Sequence, residues 1–311
     1  MEINSQAVSK RAHIMSVDVE DYFMVEAFAG SVSRSSWDRW PLRVDASTRR
    51  ALDLFDKYDV KATFFFVGWV AEKFPALVRE VQARGHELAC HSYWHRTVYS
   101  LTPQEFREDT RACVAAIEDA SGVRVQGYRA PSWSVTKACL WAFDILAEEG
   151  FTYDSSVFPI RHDLYGVPGA QRFPYIQACA NGLTLQEFPP ATVRLLGATL
   201  PGAGGGYLRI FPPAYTRWVF RQFERSYHQR VVVYFHPWEL DPDQPRIQGK
   251  LKSRFRHYSN LHHMESRLEA LLRNYSFLPF RDVIAASKDA DDLVEPVVQC
   301  STPAGKEDNR R

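Results

Sequence analysis

Cysteine is scarce and unpatterned. Five residues, Cys90, Cys113, Cys139, Cys179 and Cys300, are scattered through 311 positions. Odd in number and without Cys-x-x-Cys spacing, they support neither a disulfide framework nor a cysteine zinc site, and a reducing compartment fits best. An excess of charge of either sign is also lacking: 38 Lys and Arg stand against 37 Asp and Glu. Strong non-specific binding to nucleic acid or to an anionic membrane needs an excess of cations on one face, so neither is indicated and nucleic acid is not an expected partner. No apolar run approaches the roughly 18 residues of a membrane-spanning helix. The start, Met-Glu-Ile-Asn-Ser-Gln, has no apolar signal segment. A cytoplasmic protein with no integral membrane segment is therefore expected. Internal repeats are absent too.

What the chain does have is 45% hydrophobic content arranged as strand-like runs alternating with helical periodicity. Ile14 to Val19 reads as a first strand, 47–58 as a helix, and Ala62 to Val67 as a buried strand. A helix over 70–84 stops at Gly85, and the strand Glu87 to Cys90 follows. Thr102, Pro103 and Glu105 form a capped start for a helix to about Ala120. Strands at 126–129 and 152–154 flank a helix over 136–149. Between Pro159 and Pro213 the pattern weakens into a few strands and loops, with Gly204 to Gly206 as a turn near the cleft. A helix over 214–227, the strand Val231 to Phe235, a helix over 264–275 and a last strand at 277–278 complete the series. Repeated β-then-α predicts a parallel sheet with outer helices. Residues 288–311, polar and aperiodic, are expected to be a disordered tail.

Polar residues collect where strands end: Asp18, Glu20 and Asp21 after the first, His91 after the third, Arg129 after the fourth, Asp154 after the fifth and His236 after Val-Val-Val-Tyr-Phe. In a parallel α/β barrel these ends share one face. His91 and His95 are four apart, so a helical turn there would aim both imidazoles at one ion. Two imidazoles and a carboxylate leave coordination positions open, which is the donor pattern of catalytic rather than structural zinc. Metal-assisted hydrolysis is the chemistry these residue types point to. The basic run Lys250, Lys252, Arg254, Arg256 reads as a solvated loop, with an acidic glycan or a lipid-linked diphosphate as the alternative contact.

Asp18 in Ser-Val-Asp-Val-Glu-Asp, His91-Ser-Tyr-Trp-His95, Arg129-Ala-Pro-Ser-Trp133, Asp154-Ser-Ser and Phe235-His236-Pro, in this order, resemble the five motifs of the polysaccharide deacetylase family, carbohydrate esterase family four. The resemblance spans about 14–280. It implies an α/β fold, a distorted (β/α) barrel of about seven parallel strands, and removal of acetyl groups from a glycan with one divalent metal ion, usually zinc. It also implies a single catalytic domain over 1–287. From about residue 240, His236-Pro-Trp-Glu and Arg256-His257-Tyr258-Ser259-Asn260-Leu261, with Gly204-Gly-Gly-Tyr-Leu-Arg209, resemble a subgroup of bacterial deacetylases of exosortase-type exopolysaccharide loci. An acetylated exopolysaccharide or its precursor is the implied substrate, and the polysaccharide assembly machinery an implied partner.

Carried over residue by residue, the resemblance makes Asp18 the general base and His91 and His95 metal ligands. The family's second Asp is replaced here by Val19. Strand alternation puts Glu20 on the side of Asp18, whereas a strand already turning brings in Asp21; the expectation falls on Asp21, with Glu20 as the alternative. Arg129 would keep Asp18 ionised and oriented, and the Ser132 backbone N–H would meet the oxyanion. His236 would protonate the leaving amine, with Asp154 fixing its tautomer and raising its pKa. Trp133 would wall the acetyl methyl, and Tyr93 would stack on sugar. An allantoinase-like amidohydrolase and an inactive glycan-binding protein are the competing readings.

Overall fold

The computed structural model describes residues 12–162 and 165–287; the expected tail and Cys300 lie outside them. Among the described residues eleven strands run in chain order. They are β1 (His13–Val19), β2 (Thr63–Phe66), β3 (Glu87–Cys90), β4 (Gly127–Tyr128), β5 (Tyr153–Asp154), β6 (Tyr175–Ala178), β7 (Thr184–Glu187), β8 (Thr192–Leu195), β9 (Ala198–Pro201), β10 (Val232–Phe235) and β11 (Phe277–Leu278). The main sheet has the order β10-β1-β2-β3-β4-β5-β7-β6, with β11 also on β1 and β8-β9 as a separate hairpin. All pairings of the main sheet are parallel except β6 with β7.

The sheet curls into an open, distorted barrel. In a flat sheet β10 and β4 would be about 19 Å apart, four strand spacings. Yet Trp133, just after β4, meets Tyr234 of β10 with ring centroids 4.8 Å apart. Side-chain parity sorts the core into two layers. Met15, Val17, Val19, Phe64, Phe66, Cys90, Val233 and Phe235 belong to the large cluster beneath the outer helices. Ile14, Phe65, Ala89, Tyr153 and Val232 form the barrel interior, closed at its lower end by Phe280 and Val283 of the helix Phe280–Ser287. On the same inward parity, further toward the carboxyl ends, lie Asp18, His91 and His236, so the chemistry sits above an apolar plug.

Local signals explain most boundaries. Thr102 accepts from Glu105 N and its own N–H donates to Glu105 Oε2, the capping box that starts Pro103–Ser121. The helix expected over 70–84 is two helices, Gly68–Lys73 and Pro75–Ala83. Pro75 has no N–H and drives Phe74 out of the helical region, to φ −127° and ψ 60°. The expected helix over 136–149 likewise reduces to Trp141–Glu148 after a 3-10 turn. The basic run expected as a loop is a helix, Leu251–Tyr258. Its buried His257 anchors it by stacking on Trp238, ring centroids 4.1 Å apart.

Candidate active site

A cavity of about 250 Å³ opens at the carboxyl ends of the strands, with Asp18, Glu20, His91, His95 and His236 in its lining. The turn carrying His91 and His95 is not helical: Ser92 and His95 have φ of 64° and 50°. A carboxylate from a neighbouring helix supplies what helical hydrogen bonds would have. Buried Asp109 accepts from Ser92 Oγ (2.6 Å), Tyr93 N (2.7 Å) and Trp94 N (3.2 Å). The two rings still converge, with centroids 5.2 Å apart.

Glu20, His91 and His95 each offer a ligand atom, all within 4.8 Å of one another. His91 Nδ1 lies 2.7 Å from the Arg129 carbonyl. Donation to that acceptor leaves the Nε2 lone pair for an ion. Burial pushes the His91 pKa down to about 4, so the ring is neutral, as a ligand must be. Glu20 Oε1 accepts from Trp238 Nε1 at 3.1 Å, which aims Oε2 at His95 Nε2, 2.5 Å away. Burial opposes the Glu20 charge, but His95, His236 and His91 outweigh it and hold the carboxyl well below its ordinary range. Among the described residues Glu20 Oε2 has no partner beyond its close contact with His95 Nε2, and His95 Nδ1 has no hydrogen-bond partner, although both are buried. A divalent cation fits this donor set: hard oxygen, two imidazoles, and an unsatisfied buried oxygen where it would sit.

The expectation of Asp21 is corrected. Its carboxylate accepts from the backbone N–H groups of Tyr22 (2.9 Å), Arg43 (2.8 Å) and Val44 (3.1 Å). It thus caps the start of the helix Val44–Lys57. The inward parity of β1 persists one step past the strand and delivers Glu20.

Arg129, wholly buried, donates from Nη1 to Asp18 Oδ1 (2.6 Å) and Ser16 Oγ (2.9 Å), and from Nη2 to Ser155 Oγ (3.0 Å). Its guanidinium lies over Phe65, 4.1 Å from the ring centroid. Asp18 therefore has one oxygen fixed by a cation and the other, Oδ2, 3.9 Å from His236 Nε2.

His236 is held by a different carboxylate from the one expected. Asp154 lies on the opposite parity from inward-facing Tyr153, so it leaves the barrel interior and pairs in register with Glu187 of β7. It accepts from Ser156 Oγ at 2.6 Å. Burial raises the pKa of both Asp154 and Glu187. The partner of His236 Nδ1 is Glu239 Oε2, at 3.0 Å, and Glu239 Oε1 accepts from Arg209 Nε at 2.6 Å. Burial lowers the His236 imidazolium, yet Glu20, Glu239 and Asp18 prevail and raise its pKa to about 9. Neither Glu239 nor Arg209 was assigned a role from sequence. The signal was present in His236-Pro-Trp-Glu, a three-residue return of the capping-box kind.

Trp133 and Ser132 are among the residues lining the cavity, and both have positive φ, 54° and 52°. Two consecutive non-glycine residues in the left-handed region cost about 1–2 kcal/mol each and persist where a site requires them. Tyr93 is corrected: it is not among the lining residues, and its hydroxyl donates to Glu72. Gly204 and Gly205 pack on Tyr234, where a Cβ on Gly204 would lie 2.1 Å from the ring. They open the short helix Gly205–Ile210 at the cavity edge.

Comparison with known proteins agrees with this geometry. A family model described as polysaccharide deacetylase matches residues 31–152, and one described as a domain of unknown function (DUF3473) matches 155–285. A bifunctional xylanase/deacetylase of Pseudobutyrivibrio xylanivorans is 34% identical over 32% of this chain and 17% of its own length. A peptidoglycan deacetylase of Helicobacter pylori is 28% identical over 42% and 44%. The chain thus spans less than half the length of these relatives. Among solved structures, a putative polysaccharide deacetylase from Mycobacterium smegmatis superposes with a TM-score of 0.58 at 21% identity, covering 94% of this chain and 93% of the other. Puue allantoinase gives 0.56 at 14%, covering 94% and 100%, a likeness of fold. The barrel spans the described residues, and the polysaccharide deacetylase family model, matching residues 31–152, covers both histidines and Arg129, so over that segment the chain is similar to the polysaccharide deacetylases.

Proposed function

We propose that the protein hydrolyses the N-acetyl group of an acetylated sugar with the help of one divalent metal ion, zinc being the metal that best suits one carboxylate and two imidazoles. The observation that carries the proposal is the pairing of the Glu20–His91–His95 donor set with a separate base and acid, Asp18 and His236, beside it. A bound ion would supply Lewis acidity, polarising the acetyl carbonyl and easing deprotonation of water near neutral pH. Asp18, oriented by Arg129, takes the proton from the attacking water. The backbone N–H of Ser132 is the proposed donor to the oxyanion. His236, whose charged form Glu239 on Nδ1 favours, gives its Nε2 proton to the departing amine, and the same contact holds the ring in that orientation. Base and acid are thus distinct groups. Trp133 walls the acetyl side of the cavity.

The substrate proposed is a sugar of an exopolysaccharide or its precursor, with the assembly machinery of that polymer as partner, acting in the cytoplasm. Its support is the resemblance of the C-terminal segment to deacetylases of exopolysaccharide loci, and four buried free thiols suit a reducing compartment. Residues 1–287 act as one catalytic domain in this reading.

The test is acetate release from N-acetylglucosamine oligomers by zinc-loaded protein, with Asp18→Asn and His91→Ala as controls. Release that both substitutions abolish is expected. Zinc-loaded protein silent on acetylated glycans and active on allantoin would overturn the reading. Glycan binding that survives Asp18→Asn and chelation, without turnover, would instead make the protein a binding module.

A further inference from the structure

The helix Leu251–Tyr258 forms part of the cavity wall, yet one of its faces is left uncovered. Ser253 and Arg256 line the cavity, and His257 is buried against Trp238. Leu251 and Phe255, one turn apart and so on one side of the helix, are 82% and 66% exposed. Single apolar residues scattered over a surface need no explanation. A leucine and a phenylalanine at i and i+4 inside a dense run of cations do. The sequence has no acid between Asp243 and Glu265, while Arg246, Lys250, Lys252, Arg254 and Arg256 fall close together. In a chain of net charge +1, five cations gathered here leave the remainder net negative.

We propose that this helix docks the protein on an anionic membrane surface. Leu251 and Phe255 enter the boundary between headgroups and acyl chains, and the neighbouring cations meet the lipid phosphates. An acidic glycan would account for the cations but would leave Leu251 and Phe255 in water. A second copy of the chain would cover the apolar pair but would bring two runs of like charge together. The helix is also tied to the chemistry. Arg209 donates to the carbonyl oxygens of Ser259 (2.5 Å) and Arg256 (3.2 Å), and its Nε holds Glu239 beside His236. Docking therefore brings the cavity to headgroup level, where a saccharide carried on a lipid presents its sugar. That consequence rests on the deacetylase reading; the docking does not.

Sedimentation of the protein with vesicles of phosphatidylcholine, with and without phosphatidylglycerol, tests the proposal. Binding to the anionic vesicles alone, weakened by salt, is expected. Lys250→Glu with Lys252→Glu should reduce partition about fivefold or more for each charge. Leu251→Ser with Phe255→Ser should reduce it about a hundredfold or more. All four side chains are exposed, so thermal melting should be unchanged. Wild-type protein that stays in the supernatant with both vesicles, or variants that sediment like wild type, would overturn the proposal. So would a wild-type dimer in gel filtration that Phe255→Ser turns into a monomer, since the face would then belong to a second copy. Retention on an acidic polysaccharide without vesicle binding would equally assign it elsewhere. Acetate release measured on the same preparations separates failure of docking from failure of the deacetylase reading.

Discussion

Glu239→Gln keeps an oxygen facing His236 Nδ1 and deletes a charge. Three carboxylates raise the His236 pKa to about 9 against the pull of burial. Glu239 is nearest at 3.0 Å, with Glu20 at 3.7 Å and Asp18 at 3.9 Å. At an effective dielectric of about 20, a unit charge pair this close is worth about 5 kcal/mol. Arg209, on the other oxygen of the same carboxylate, cancels a good part of that, leaving about 1.5–3 kcal/mol, or one to two pH units. NMR titration of the imidazole should therefore show the His236 midpoint falling by about that amount. The sign for stability follows from the raised value. A charged His236 contributes below its ordinary pKa of 6.5, and the contribution is lost as pH rises through about 9. In the variant the loss begins at lower pH. The substitution also strands Arg209, which is 1% exposed, at a cost of about 3–5 kcal/mol. Melting curves should show it at every pH. An unmoved His236 midpoint together with unchanged melting would refute the assignment of Glu239 as the charge partner.

Asp109→Ala removes the acceptor of three hydrogen bonds under the histidine turn and should destabilise the fold by about 3 kcal/mol or more while weakening metal binding; unchanged zinc affinity in calorimetry would contradict that. Gly204→Ala places a methyl 2.1 Å from the Tyr234 ring at a φ of 151° and should cost about 2–4 kcal/mol in denaturant unfolding. Asp154→Asn should leave the His236 titration untouched, because its carboxyl meets Glu187 and Ser156 instead. The same variant should gain stability relative to wild type as pH rises, since Asp154 and Glu187 have raised values and the wild-type pair loses stability once it must ionise.

The β-then-α alternation and the strand-end positions of Asp18, His91, Arg129 and His236 were legible in the sequence, because inward parity on a curled parallel sheet is written in the apolar pattern beneath them. The same parity, applied strictly, selects Glu20 over Asp21 and turns Asp154 outward: the Asp21 expectation assumed that the strand had already turned, and the Asp154 role came from the family resemblance. Asp109, Arg209 and Glu239 were not legible as a set. Asp109 and Arg209 sit on helices whose packing against the site no local pattern encodes. Pro75 was visible but was passed over as a helix break.

Zinc titration of chelator-treated protein, followed by calorimetry in wild type, Glu20→Gln and Asp21→Asn, tests the proposed centre most directly. One equivalent should bind wild type, and Glu20→Gln should weaken binding about a hundredfold or more through loss of a ligand. Asp21→Asn should melt earlier, because the helix cap loses its charge, yet bind zinc with nearly wild-type affinity. Binding that survives Glu20→Gln and is lost in Asp21→Asn would contradict the account.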